Sequence, residues 1–175
     1  VRVMHIKVLD KIAKAYVDII RGTPAVVQLV IIYYAILGGV NLPKVLVASV
    51  AFAINSGAYV SELIRGGILA VDKGQMEAAR SLGLPYGVAM RKIILPQAIR
   101  IVIPSVLNQF IITLKDTSIL SIIGFPELTN VGKTIVGNTL KSLQTWAIVG
   151  VMYMVVIVTL SKVAKRIERR VNRGR

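Results

Sequence analysis

The chain has 175 residues, 55% of them hydrophobic, with 22 Lys plus Arg against 8 Asp plus Glu and a formal charge of +14. Apolar content this high does not suit a soluble domain, whose exterior must be polar. The basic residues flank apolar runs rather than forming a hydrophilic domain, which argues against nucleic acid as a partner, and with no cysteine nothing supports disulfides or a zinc or thiolate site.

In chain order, residues 2–14 read as a short basic cytoplasmic lead-in. The chain opens on Val1 rather than Met, with no charged-then-apolar leader, so an upstream segment is expected. The first span is placed at about 16–37, and no charged residue occurs from Gly22 to Val40. The turn cluster Gly38-Gly39-Val40-Asn41-Leu42-Pro43 closes it. A second span covers about 44–64, and Arg65-Gly66-Gly67 marks its exit. Residues 65–98 are polar and basic. There Gly83 should end one short helix in the left-handed conformation, and Pro85 should open the next. That second helix would carry Tyr86, Met90 and Ile93 on one apolar side. Pro96 and Pro104 precede or enter a third span, about 99–123, which Pro104 should kink or truly begin. Gly124-Phe125-Pro126 ends it. Residues 126–143 are expected to form a short helix at the outer surface. The last span, about 143–161, has Trp146 at its start, where an indole favours the interface, and a strongly basic tail after it.

These runs are long enough to cross a bilayer, and basic loops stay in the cytoplasm. The sequence therefore predicts an all-α integral membrane protein: one helical-bundle domain over residues 1–175, four spans, both ends inside, and short cytoplasmic helices between spans two and three.

Polar residues inside spans need a reason, since a central charge costs about 2.5–3.5 kcal/mol on insertion scales. Asn55, Tyr59 and Glu62 fall at i, i+4, i+7 on one helix face. Beside them Ser49, Ala53, Gly57 and Ser61 make a small-residue stripe suited to close helix approach. In the third span Gln109, Thr113 and Asp116 share a face flanked by Lys115 and Thr117. The two faces could meet around a polar solute, with carboxylates on its cationic group and Lys115 or hydroxyls on its anionic one. The competing reading is mutual neutralisation, Glu62 with Arg65 and Lys115 with a nearby carboxylate. Gly132-Lys133-Thr134 ends like a phosphate-binding loop, but that motif needs a glycine five places earlier, where Glu127 stands. No nucleotide site is therefore expected in this chain. His5 reads as solvated, Asp10 and Asp18 as balancing local cations, and Ser118 and Ser121 have no histidine to activate them.

The loop itself reads Glu77-Ala78-Ala79, three residues, Gly83, nine residues, Ile93, one residue, Leu95-Pro96. Such a segment suits a docking knob: short helices are rigid, Gly83 permits a sharp reversal, and Glu77, near its helix start, would favour the dipole's positive end. The plainer alternative is an amphipathic loop resting on headgroups. The full spacing resembles the EAA motif of ABC-importer permease subunits. Arg21-Gly22-Thr23-Pro24 with Val27-Gln28-Leu29, Asn55-Ser56-Gly57-Ala58-Tyr59 with Glu62 and Arg65-Gly66-Gly67, and Leu114-Lys115-Asp116-Thr117-Ser118 resemble the polar amino acid permeases within that family.

The resemblance implies a non-enzymatic subunit of an ATP-driven importer in the cytoplasmic (inner) membrane, moving polar amino acids, basic ones among the candidates. Members usually carry five spans, one more at the amino terminus. Implied partners are ABC ATPase subunits gripping Glu77, Ala78, Ala79, Gly83 and Leu84, a second permease copy (identical or related), and an extracytoplasmic amino-acid-binding protein. ATP and magnesium would be held by the ATPase, with no cofactor here. Asn55, Ser56, Tyr59, Glu62, Gln109, Lys115, Asp116 and Thr117 are the candidate substrate-binding residues. The alternative is an ion- or proton-coupled secondary transporter with Glu62 and Asp116 carrying protons. An intramembrane enzyme lacks a nucleophile–base pair.

Overall fold

The computed structural model describes residues 7–40 and 42–172; His5, Asn41 and the last three residues of the basic tail lie outside them. Every regular element among the described residues is helical. Helix α1 (Lys7–Gly22) leads to α2 (Ala25–Val30), which continues as a wider π-helical segment, Ile31–Ile36. Helix α3 spans Lys44–Leu69, α4 Lys73–Ser81 and α5 Tyr86–Ala89. The π-turn Met90–Ile94 joins α5 to α6 (Leu95–Asp116), and a 3₁₀ segment, Thr117–Ile123, ends that rod. Helices α7 (Leu128–Thr139) and α8 (Ser142–Asn172) complete the chain.

Among the described residues, three helices are long and apolar enough to cross a membrane: Lys44–Leu69, Tyr86–Ile123 and Ser142–Val171. The expected first span, 16–37, is not one straight helix. Its two halves meet at 106° across Thr23-Pro24. Proline has no N–H and drives the preceding residue away from helical angles, and Pro24 itself is extended at φ −64°, ψ 137°. An uncharged run hides such a break.

Nor does the third span start near Ile99. The helix runs unbroken for 38 residues from Tyr86, and a π-turn just before Pro96 absorbs the irregularity. The Leu95 N–H reaches Met90 O rather than Arg91 O, the widened register of a π-bulge. Pro104 lies within α6 instead of marking its start.

Two apolar clusters hold the bundle. One joins α2, α3 and the 3₁₀ segment through Leu29, Ile32, Val47, Ala51, Leu120 and Ile123. The other joins Val71, Ile94 and Ala98, with Met76, Met90 and Ile93 packed against them. Tyr86, expected on that side, is exposed. Helices α3 and α6 cross tightly at Gly67, where a Cβ would fall 2.0 Å from Val102 Cγ2 and 3.3 Å from Ala98 O. The expected packing stripe behaves otherwise: Ser49, Ala53 and Gly57 are exposed, while Val47, Ala48, Ala51 and Ala58 are buried. Along α8, Val151, Met152, Met154 and Val155 are all exposed. A helix this apolar and uncovered is at home in lipid, where backbone groups must be satisfied within the helix.

Glu127 caps α7, accepting from Thr129 N at 2.8 Å and Asn130 N at 2.6 Å, while Tyr153 OH donates to the same carboxylate at 3.2 Å. Gly132 packs on α8: an added Cβ would lie 3.1 Å from both Trp146 and Val149. The glycine of Gly132-Lys133-Thr134 thus serves helix contact.

Candidate functional site

The loop between α3 and α6 folds as a compact knob. Asp72 caps α4, accepting from Gly74 N at 2.6 Å. It takes the place expected for Glu77, which sits mid-helix and exposed. The helix stops because Gly83 turns left-handed at φ +81°. Leu84 N then bonds to Ala79 O at 3.1 Å and Gly83 N to Arg80 O at 3.0 Å, a helix-terminating pair that satisfies carbonyls without continuing the helix. Arg80 Nη1 also donates to Leu84 O at 2.9 Å.

Of the predicted docking residues, Glu77, Ala78 and Gly83 are exposed, Leu84 is half-buried, and Ala79 is buried. Ala79 therefore packs inward and does not line the knob's surface. The apolar tip went unnoticed in the sequence: Leu82 is 82% exposed, with Tyr86 exposed beside it. A large apolar side chain left out while smaller neighbours pack inward is a contact candidate.

The second region is a polar seam. The predicted face of α3 is not open; it turns toward the α1–α2 elbow. Asn55 Nδ2 donates to Gln28 Oε1 at 2.8 Å, and Tyr16 OH donates to Ile54 O at 2.5 Å. The Arg21 guanidinium lies over the Tyr59 ring at 5.5 Å, a cation–π arrangement. Arg65 grips Glu62 through Nε at 3.0 Å and Nη2 at 2.8 Å, and Arg21 Nη1 stands 3.9 Å from the same carboxylate. Neutralisation of Glu62 by Arg65 is what the side chains adopt, with Arg21 as a second cation not foreseen. The Glu62 carboxylate, expected on a solute's cationic group, thus already faces two guanidiniums.

The other predicted residues divide along the bundle. Ser56 Oγ meets Thr113 Oγ1 at 3.3 Å, and Gln109 Nε2 approaches Thr113 Oγ1 at 3.4 Å, so the faces of α3 and α6 meet there. Lys115, Asp116 and Thr117 sit at the far end of α6, where Thr117 Oγ1 bonds to Leu114 O at 2.6 Å. Since Ser56 faces Thr113 and Gly67 faces Val102, Glu62 and Asp116 lie on opposite sides of the Ser56–Thr113 contact, about 13 Å apart along the helices at 1.5 Å per residue. They do not converge on one small solute. A groove of about 420 Å³ between α3 and α6 is lined by Val60, Ile64, Ile68, Val102 and other apolar residues and offers an amino acid no polar partner. Gln28, Arg21 and Thr113 stand in the seam but were not among the predicted site residues. In the sequence Arg21 and Gln28 stand in the Arg21-to-Leu29 stretch and Thr113 shares a face with Gln109, but spacing alone does not say what they meet.

An apolar multi-helix bundle with one exposed, capped knob and one internal polar seam is the architecture of a membrane transport subunit. Residues 3–173 match the family described as "Binding-protein-dependent transport system inner membrane component", and the chain belongs to it. It is 39% identical over 166 residues to the glutamine transport system permease protein GlnP of Escherichia coli K12, covering 93% of this chain and 76% of the relative. It is 39% identical over 161 residues to the arginine transport system permease protein ArtQ of Bacillus subtilis, covering 91% and 74%. A solved structure, "Crystal structure of an amino acid ABC transporter with histidines", superposes with a TM-score of 0.89 at 44% identity, covering 94% of this chain and 78% of that one. The chain is thus a multi-pass permease component of the inner membrane and not itself an enzyme. Membership also implies ATPase and binding-protein partners in general and disfavours the ion-coupled alternative.

Proposed function

We propose that this chain is one half of a permease pair that carries a polar amino acid into the cell, driven by ATPase subunits that grip the knob between Asp72 and Ile94. Two copies, or one copy with a related subunit, enclose the path. A binding protein delivers the solute at the outer side, near α7. ATP and magnesium are bound by the ATPase.

The observation that carries this reading is the knob: Leu82 and Tyr86 are exposed at its tip, while Val71, Ile94 and Ala98 bury its base against α3 and α6. A push on that tip is delivered to both long helices at once, because a close-packed base transmits displacement. The solute path draws on the seam, with Asn55, Ser56, Tyr59, Glu62 and Gln109 as contacts. Lys115, Asp116 and Thr117 act at the other end of α6 as a separate group. The relatives' glutamine and arginine make a polar amino acid the solute class.

The test is transport in vesicles holding the permease with its ATPase. Uptake of L-glutamine or L-arginine should require ATP and survive an uncoupler while ATP is held constant. Uptake that collapses with the uncoupler, or a permease that never co-purifies with an ATPase, would overturn the proposal.

A further inference from the structure

Gln28 belongs to neither the solute contacts nor the knob, yet its amide sits where the elbow meets the seam. Its side chain is 8% exposed. Gln28 Nε2 lies 2.7 Å from Ile20 O, 3.1 Å from Thr23 O and 2.8 Å from Thr23 Oγ1. Those carbonyls end α1, where a helix has no donors of its own left to offer, and Pro24 supplies no N–H. In an apolar surround such groups must be satisfied by side chains. Thr23 Oγ1 serves the same end by donating to Ile19 O at 2.8 Å.

These contacts fix the amide's orientation, with the two Nε2 protons shared among three acceptors. Carbonyl oxygens only accept, so the amide nitrogen of Gln28 must face α1. Thr23 has one hydroxyl proton; with it on Ile19 O, its oxygen accepts from Gln28. The amide oxygen of Gln28 is then turned to α3, where it takes Asn55 Nδ2. Asn55 must therefore donate toward the elbow. Its Oδ1 is left as an acceptor with no partner among the described residues.

We infer that Gln28 is a positioning residue for transport: it pins the 106° elbow and, through the same amide, sets Asn55 to present an acceptor to an N–H donor of the solute, such as its ammonium group. This rests on the assignment of Asn55 to solute contact. Bend angle and amide polarity share one side chain, so straightening the elbow would release Asn55 from its setting.

The test is a double-mutant cycle on the purified permease–ATPase complex, reading Kd for L-glutamine and L-arginine by calorimetry. Asn55→Ala should weaken binding of the transported solute. Gln28→Met, similar in length but without the amide, should weaken it about tenfold, and the double variant should be no weaker than Asn55→Ala alone, since coupled sites are non-additive. Thr23→Val removes the hydroxyl link alone and should move Kd in the same direction by a smaller factor; it carries the comparison should Gln28→Met not assemble. A merely structural role would lower yield or melting temperature and leave Kd unchanged. That result, or strictly additive losses, overturns the inference. If Asn55→Ala weakens binding and neither elbow variant does, the solute contact stands and only the role of Gln28 falls. If neither solute binds the wild-type complex, or Asn55→Ala leaves Kd unchanged, the assignment of Asn55 fails and takes the inference with it.

Discussion

The knob and the seam are built by opposite means. The knob is local: Asp72 caps it, Gly83 reverses it, and its working surface is what its own helices leave exposed. The seam is assembled from distant segments, with Gln28 and Asn55 27 residues apart and Ser56 and Thr113 57 apart. Function carried by consecutive residues can be read from spacing, whereas function carried by contacts between segments must wait for the fold. The knob also shows apolar groups outward, while the seam pairs polar groups between helices. Each inverts the usual pattern of its surroundings, as sites do when they await a partner.

Gly67 joins the two regions, so substitutions there should damage both. Gly67→Leu places a side chain where even Cβ would overlap Val102. Overpacking of this kind costs about 1–3 kcal/mol or more, seen as a lower melting temperature of the complex and loss of both solute binding and ATPase association. Gly83→Val should separate the regions. Valine at φ +81° bears roughly 1–2 kcal/mol of left-handed strain, enough to depopulate the turn about tenfold. Uptake and ATPase association should fall while solute binding persists; loss of solute binding instead would break the division. Glu62→Gln probes the seam alone. With the carboxylate gone, Arg21 and Arg65 face one another uncompensated. Solute-stimulated ATP hydrolysis should drop several-fold with the ATPase still bound, and unchanged stimulation and uptake would remove Glu62 from the path. The smallest effect lies outside both regions. Leu140 is exposed and left-handed at φ 57°, so Leu140→Gly should raise stability by up to about 1 kcal/mol through relieved strain, with uptake unchanged.

This contrast also explains what the sequence disclosed. The class followed from long uncharged runs between basic flanks, and the knob from Glu77-Ala78-Ala79 and Gly83 in register. The helix stop at Gly83 was legible because only a few residue types tolerate its dihedral angles. Glu77 reads from its motif as lying near a helix start, but the helix begins four residues earlier, behind the Asp72 cap. The elbow at Thr23-Pro24 was masked by the apolar run around it. Asn55, Tyr59 and Glu62 were found as a face, but periodicity says which residues share a side and not what that side meets. Arg21 and Gln28 took their places only once α1 and α2 folded back on α3.

The central claim is that the knob is the contact through which an ATPase moves this bundle. The chain has no cysteine, so Leu82→Cys creates a single thiol at the knob's most exposed large apolar residue. In membranes containing the assembled transporter, a short bifunctional reagent at that thiol should capture the ATPase subunit and couple to nothing on the outer side. Quantitative labelling of the thiol by an impermeant reagent added from outside, or an ATPase that binds fully yet is never captured, would contradict the account.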